Sequence, residues 1–436
     1  MSVLNDLAVK AGDGDVVAGV PARLVAAPAS TEEAAALIAA TRDLTVVIRG
    51  GGTKIHHGPP PRELDLIIDT RRLTGVVEHA AGDLISVVRA GTPMAELHNL
   101  PGQQLALDAP AAATAGGTVA ANASGPRRLR YGTARDLLIG ITVVRPDGRI
   151  TRSGGKVVKN VAGYDLGKLY TGSQGTLGLI TECVFRLHPV PLFTAFVRAV
   201  APPTHAANVL AGQSAVSALE VNAAPGTEPE IAVLIEGTET GVRDRAAALA
   251  RLLDGEVSTT PPPWWNTPPC PAGPDTLSLK TTSTLSGVPA LISAAVDAGL
   301  TIRGSAGSGV LYAGAAFPAA VSPGAVSAAV SPGAVSAAVS PGAASAAVSP
   351  AATLPAPTPA PGAGPGSSDQ VARVVDRLRV VAAAAGGHVV VLSAPDSVRE
   401  RIDMWGPVPG IDLMRRVKDQ FDPDHRFAPG RFVGGI

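Results

Sequence analysis

Cysteine is almost missing from this chain: Cys183 and Cys270 are its only two in 436 residues. They are too few and too far apart for a disulfide framework, an iron-sulfur cluster or a Cys-based zinc site. Electrons bound for an iron-sulfur centre must therefore find it on another chain. An excess of charge is missing as well, since 36 basic residues face 36 acidic ones and no run of five like charges occurs. That excludes the electrostatic footprint of a nucleic-acid or anionic-membrane binder and leaves small molecules and proteins as partners. Long apolar runs are lacking too. No segment reaches the roughly 18 uninterrupted apolar residues of a membrane span. Met1–Lys10 has an early acidic residue and no apolar stretch of signal-peptide length. The expectation is a cytoplasmic protein, membrane-peripheral only through a partner.

What is present divides the chain. Its length suits two domains that each bury a core. From Ala319 the nonapeptide Ala-Ala-Val-Ser-Pro-Gly-Ala-Val-Ser recurs almost unchanged at 319, 328 and 337, decays at 346, and gives way to a Pro/Ala/Gly tract ending near Ser367. The period is too short for a helical solenoid, Pro-Gly blocks continuous helix, and no residue is large enough to form a core. Residues 319–367 read as a disordered insert, with a β-solenoid as the alternative. The expected organisation is a first domain over 1–192 with its core at about 17–190, and a second, smaller one made of 193–318 and 368–436. A long insertion is tolerated in a surface loop of the latter at small entropic cost.

Ser30-Thr-Glu-Glu33 is a capping box that predicts a helix to about Arg42, followed by a buried strand over Thr45–Arg49. Leu64–Asp69, Gly75–His79, Leu84–Arg89, Leu137–Arg145 and Thr181–His188 also read as strands, with short helices at about 93–100 and 164–171. The fold class is α+β.

The most informative stretch is Val47-Ile-Arg-Gly-Gly-Gly-Thr-Lys54, a strand running into three glycines. Residues without a Cβ let successive amides curl into a concave nest that binds phosphate; taken alone, the same stretch also fits a tight turn. A Walker A loop is excluded because Gly155-Lys156 is followed by Val157. A Rossmann fingerprint must open a helix, which His57-Gly-Pro-Pro-Pro61 forbids. Two further side-chain-poor runs follow. One is Ala113-Thr-Ala-Gly-Gly-Thr-Val-Ala-Ala-Asn-Ala-Ser-Gly125, leading to Arg127-Arg-Leu-Arg-Tyr-Gly132. The other is Tyr170-Thr-Gly-Ser-Gln-Gly-Thr-Leu-Gly-Leu-Ile-Thr-Glu182.

In order and separation these three runs resemble FAD-binding oxidoreductases of the vanillyl-alcohol-oxidase or p-cresol-methylhydroxylase type. Within that family the likeness is to the smaller FAD-binding subunits of bacterial glycolate oxidase, also called glycolate dehydrogenase. It covers residues 17 to 192, including Arg145-Pro-Asp-Gly148 and Gly154–Asp165, and returns at Asp403–Gly406 and Met414–Pro423. The resemblance implies an FAD-binding domain of the p-cresol-methylhydroxylase type followed by an α+β cap. It implies that Gly50, Gly51, Gly52, Thr53 and Lys54 hold the FAD pyrophosphate. Thr114, Gly116, Gly117, Asn122, Ser124 and Gly125 would line the ribityl chain and flavin, and Gly175, Gly178 and Ile180 would pass close from the other side. His56 and His57 sit where some relatives attach FAD through a histidine, although glycolate-type relatives do without that link, so the FAD is expected to be non-covalent.

Other residues keep two readings. Lys156, Lys159 and Tyr164 face substrate or flavin, or belong to a solvated loop. Arg127, Arg128 and Arg130 approach a phosphate or form a surface cluster. Trp264-Trp265 reads as a surface or partner contact. The cap portion offers His205, His388 and His425, no metal site is expected, and no residue stands out as the base. Where relatives end in Asn-Pro-Gly, this chain has Ala428-Pro429-Gly430-Arg431. Three functions are therefore entertained. The first is the FAD-binding subunit of a glycolate oxidase-like complex that oxidises a small 2-hydroxy acid beside a larger FAD subunit and an iron-sulfur subunit. The second is a self-sufficient FAD-dependent dehydrogenase of a lactate-like or sugar-derived alcohol. The third is a non-catalytic scaffold with the same fold.

Overall fold

The computed structural model describes residues 7–156, 164–212, 214–270, 275–316 and 368–436. The insert expected at 319–367 and Lys159 lie outside the described residues. Three main sheets carry the fold. The first uses β1 (Ala8–Lys10), β2 (Leu24–Ala26), β3 (Val46–Arg49) and β4 (Leu66–Asp69), with helix α1 (Thr31–Ala40) between β2 and β3. Its order is β1-β2-β4-β3, parallel except for β1 at the edge. Ser30 caps α1 as expected, its hydroxyl accepting the Glu33 amide at 3.0 Å, but the Glu33 carboxylate reaches one residue further back, to the Ala29 amide at 2.8 Å. The helix ends at Ala40 rather than near Arg42, because the Thr41 hydroxyl donates to the Leu37 carbonyl at 2.9 Å and competes with the next backbone bond.

The second sheet is antiparallel throughout. It contains β5 (Val76–Ala80), β6 (Ile85–Arg89), β7 (Leu138–Val144), β8 (Ile150–Gly154) and β9 (Leu179–Arg186), in the order β8-β7-β9-β6-β5. The short helix α2 (Ala115–Ala120), made entirely of small residues, packs on β6 and β9. The helices expected at about 93–100 and 164–171 are single turns, Met94–Leu97 and Gly167–Tyr170.

The third sheet has eight antiparallel strands: β10 (Phe193–Val200), β11 (Ala218–Ala223), β12 (Glu230–Gly237), β13 (Glu256–Ser258), β14 (Thr276–Thr282), β15 (Thr301–Ser305), β16 (Val310–Ala316) and β17 (Val389–Ser393). Its order is β13-β10-β12-β11-β15-β16-β14-β17. Alternation along each strand sends Val221, Leu279, Ile302, Leu311 and Val391 to one face. There they form a continuous core with Val242 and Leu249 of helix α3 (Glu239–Leu253), Leu291 of α4 (Val288–Asp297), and Val375 and Leu378 of α5 (Ser368–Ala384). The other face therefore receives Glu220, Asn222, Lys280, Arg303 and Tyr312, and it turns towards the first half of the chain.

Two contacts fix that orientation. The Tyr131 hydroxyl donates to Glu236 at 2.8 Å, and the Gly58 amide donates to the Leu392 carbonyl of β17 at 2.9 Å. Residues 411–436, which the sequence reading grouped with the cap's second part, return to the first sheet. Phe427 pairs alongside Val46 of β3 and is fully buried. Helix α6 (Ile411–Phe421) supplies Lys418, whose ammonium donates to Asp422 at 2.6 Å and to the carbonyls of Thr176 and Phe427 at 2.9 Å each. Among the described residues no helix is long and apolar enough to cross a membrane.

Candidate functional site

A narrow cleft of about 110 Å³ lies between the end of β3, the start of α2 and the turn before β9. Gly50, Gly51, Gly52, Thr53, Lys54, Thr114, Gly116, Gly117, Gly175, Gly178 and Ile180 all line it. The reason for their small size is geometric. A methyl on Gly51 would collide with the Ala112 carbonyl, and one on Gly116 would stand 2.7 Å from the Ala90 Cβ. Gly52 has open space around it but a φ of +72°, the left-handed region where a side chain is strained. Arg49, just before the glycines, is held by Asp15 at 2.8 Å and Asp69 at 3.0 Å, so the strand enters its loop at a fixed angle. Among the described residues the amides of Gly51, Gly52, Thr53 and Lys54 find no acceptor.

A larger cavity of about 350 Å³ continues from this cleft to the polar face of the eight-stranded sheet. Asn122, Ser124 and Gly125 line it, and Thr53, Lys54, Gln174 and Arg431 border both spaces. The structure thus gathers all fourteen residues singled out in the three small-residue runs around one continuous depression.

The far wall of the cavity is a row of polar side chains that no local signal had joined. Along the cavity Arg303 is opposite Tyr312 and Tyr312 opposite Lys280, and Asn222, one strand beyond Arg303, continues the register without lining the cavity. Glu220 stands two residues from Asn222 on the same face, opposite Ser305. Burial pushes Lys280 down to about 8, helped by the nearby cations Arg128 and Lys54, and pushes Glu220 up to about 8. Burial also lowers Arg303 and raises Tyr312. Arg303 donates to the Thr267 hydroxyl at 2.8 Å while its Nε is buried without a partner; Glu220 Oε1, Asn222 Oδ1 and Ser305 Oγ are orphaned likewise. Buried polar atoms left unpaired cost free energy unless a ligand satisfies them, so this wall is built for a polar guest.

Several sequence readings are corrected here. Trp264, expected at a surface or partner contact, lines the cavity with its indole N–H on Glu230, whereas Trp265 stacks edge-on against Phe196 at 5.1 Å. The three arginines separate. Arg127 pairs with Asp108 at 2.6 Å, Arg128 lines the cavity and donates to Ser124, and Arg130 crosses to Ser217 at 3.1 Å. Lys156 pairs with Glu78 at the surface and Tyr164 is 90% exposed, so neither faces the cleft. His205, His388 and His425 line neither space. His56 and His57 do line the cavity, and burial drives His57 to about 3, with His56, Lys54 and Arg431 adding to the effect, so its imidazole is neutral. Among the described residues no group of His, Cys, Asp or Glu could hold a metal.

Arg431 went unnoticed because the sequence reading attended to the missing amide at 428. Its guanidinium donates to the carbonyls of Ile55 and His57 at 2.9 and 2.8 Å, burial lowers it to about 10, and Nη1 is buried without a partner where the cleft meets the cavity. The other missed residues did leave a signal. Glu220, Lys280 and Arg303 are lone charges inside otherwise uncharged strands.

Comparison with known proteins shows what the first half of the chain is similar to. A family profile described as FAD binding domain matches residues 22–154. Residues 22–154 are thus similar to an FAD binding domain. The D-lactate dehydrogenase of Archaeoglobus fulgidus is 36% identical over 179 residues, 38% of this chain and 39% of that one. The glycolate oxidase subunit GlcE of Escherichia coli is 38% identical over 152 residues, 34% of this chain and 43% of that one. The aligned segments thus span about two fifths of these curated relatives. Across the whole fold, a chitooligosaccharide oxidase superposes with a TM-score of 0.61 at 14% identity, covering 98% of this chain and 94% of that one. The mixed α/β fold is thus similar to that of this oxidase. The residues present fit FAD: side-chain-free backbone where a flat ligand approaches, free amides for phosphate, and orphaned buried polar atoms at His56 Nε2, Thr118 Oγ1 and Arg431 Nη1.

Proposed function

We propose that this chain is the FAD-binding subunit of a glycolate oxidase- or dehydrogenase-like complex that oxidises a small 2-hydroxy acid at its CH–OH carbon. The observation that carries this reading is the set of cations Arg128, Lys280 and Arg303, which have no carboxylate partner among the described residues, on the wall of a cavity that opens onto the glycine-lined cleft. Residues 1–192 are the FAD-binding unit, and 193–318 with 368–436 are the cap and the C-terminal segment that returns to the first sheet. The amides of Gly50, Gly51, Gly52 and Thr53, with Lys54, hold the pyrophosphate. Thr114, Gly116, Gly117, Asn122, Ser124 and Gly125 line the ribityl chain and flavin, with Gly175, Gly178 and Ile180 on the opposite side. Bound FAD supplies a two-electron acceptor for the hydride that leaves the substrate carbon. The cations orient the substrate carboxylate, and Trp264 and Trp405 keep water from the cavity.

FAD is held without a covalent bond, so acid precipitation should leave the flavin in the supernatant. The likeness to GlcE and the two isolated cysteines support a complex with a larger FAD subunit and an iron-sulfur subunit, cytoplasmic and membrane-peripheral only through those partners. The likeness to a D-lactate dehydrogenase favours a second reading, a self-sufficient dehydrogenase of a lactate-like alcohol. Anaerobic addition of glycolate or D-lactate to the purified yellow protein should bleach the oxidised-flavin band. A folded preparation that stays colourless and refuses added FAD ends the proposal.

The cavity charges also set a pH dependence. Lys280 has its folded value depressed to about 8, so it is cationic below that and loses its charge above it; Glu220 is neutral below about 8 and becomes an anion above it. Both changes weaken binding of an anionic substrate as pH rises through 8. KM should therefore climb on the alkaline side with a shallower rise in Glu220→Gln, and a KM that stays level to pH 9.5 would contradict the assignment.

A further inference from the structure

The cations of the cavity fall into two groups. Lys54 and Arg431 border the cleft as well as the cavity, and the FAD reading assigns them to the cofactor. Arg128, Lys280 and Arg303 line the cavity alone. None of these three has a carboxylate partner among the described residues, where Arg303 donates to the Thr267 hydroxyl and Arg128 to Ser124. The available carboxyls do not compensate them, because Asp108 is engaged by Arg127 at 2.6 Å and burial keeps Glu220 in its neutral form near pH 7. Buried positive charge left uncompensated is unfavourable until anionic groups enter the cavity.

Spacing decides how many anionic groups. Lys280 on β14 and Arg303 on β15 are each in register with Tyr312 on the intervening β16. Their backbones therefore stand two strand spacings apart, about 10 Å. With the Arg303 guanidinium tied to the Thr267 hydroxyl, two carboxylates separated by two or three carbons match that interval once about 3 Å is allowed for each bond. The tyrosine between them offers its hydroxyl to the middle of such a ligand.

We propose that the substrate is a 2-hydroxy acid with two carboxylates, one held at Lys280 and the other at Arg303, with Tyr312 under the carbons between them. This rests on the flavoprotein reading above and narrows its substrate class. The test is anaerobic reduction of the FAD-loaded full chain by malate and 2-hydroxyglutarate, in both enantiomers, against glycolate and lactate. A diacid should bind at least about ten-fold tighter than any monoacid, the value of one further desolvated charge-assisted bond. Arg303→Met and Lys280→Met should each weaken the diacid, while only one of the two weakens lactate. Lactate or glycolate reducing the flavin as efficiently as the diacids, or both variants weakening monoacid and diacid by the same factor, would overturn the proposal and leave the flavoprotein reading intact. Calorimetric titration of the wild-type holoprotein with succinate, glutarate and acetate tests the charge spacing without turnover. A dicarboxylate that binds no tighter than acetate overturns it, and failure to take up FAD at all is the separate failure of the underlying reading.

Discussion

Replacing Gly51 by alanine should leave the purified protein without flavin. The added methyl has nowhere to go, because the Ala112 carbonyl occupies its place and the Ala113 Cα stands 3.2 Å away. Backbone meets backbone there, so the loop of 50–54 and the run of 112–117 must move apart. Overpacking of this kind costs about 1–3 kcal/mol, and the displaced groups are those that flank the cofactor, so FAD affinity should fall by about 100-fold. Gly52→Ala is the control. Its site is open and only its φ of +72° opposes a side chain, which costs about 1–2 kcal/mol of stability with FAD affinity reduced far less. Quenching of FAD fluorescence on titration, beside a thermal melt of each variant, reads both effects. Equal flavin loss in the two variants would mean that backbone strain rather than the close approach of the two loops governs the cleft.

The second large effect belongs to Lys418→Met. Lys418 is 1% exposed and Asp422 fully buried, and the ammonium also satisfies the Thr176 and Phe427 carbonyls. Removing the cation strands a buried carboxylate and two carbonyls, which should cost about 3–5 kcal/mol and lower the melting temperature by about 10 °C. The double change Lys418→Met with Asp422→Leu should recover part of that loss, since no lone charge remains. Thr176 lies in the third glycine-rich run, so the single variant should also release FAD more readily than wild type. A shift of the melting temperature under about 2 °C would show that water reaches the pair and that the C-terminal segment is not the anchor of that loop.

These outcomes depend on two kinds of information. The sequence by itself showed three side-chain-poor runs, because a missing Cβ and a run of small residues are local properties that survive in one dimension, and the order of those runs carried the resemblance that implied FAD. The same holds for the cap of α1 at Ser30 and for the strand entering the first glycine run, where period and turn chemistry act over a few residues. Paired electrostatics were not legible in this way. Glu220, Lys280 and Arg303 are separated by long stretches of chain, and each looks like an isolated charge in an otherwise uncharged strand. Alternation places each on one face of its own strand, but only the order β11-β15-β16-β14 brings them together on one face of the sheet, and that order follows from non-local pairing and helix packing on the opposite face. Arg431 and Lys418 needed more still. Their chemistry appears once the C-terminal segment has run back beside β3, where burial removes water and leaves each cation to bind what the fold has put in reach.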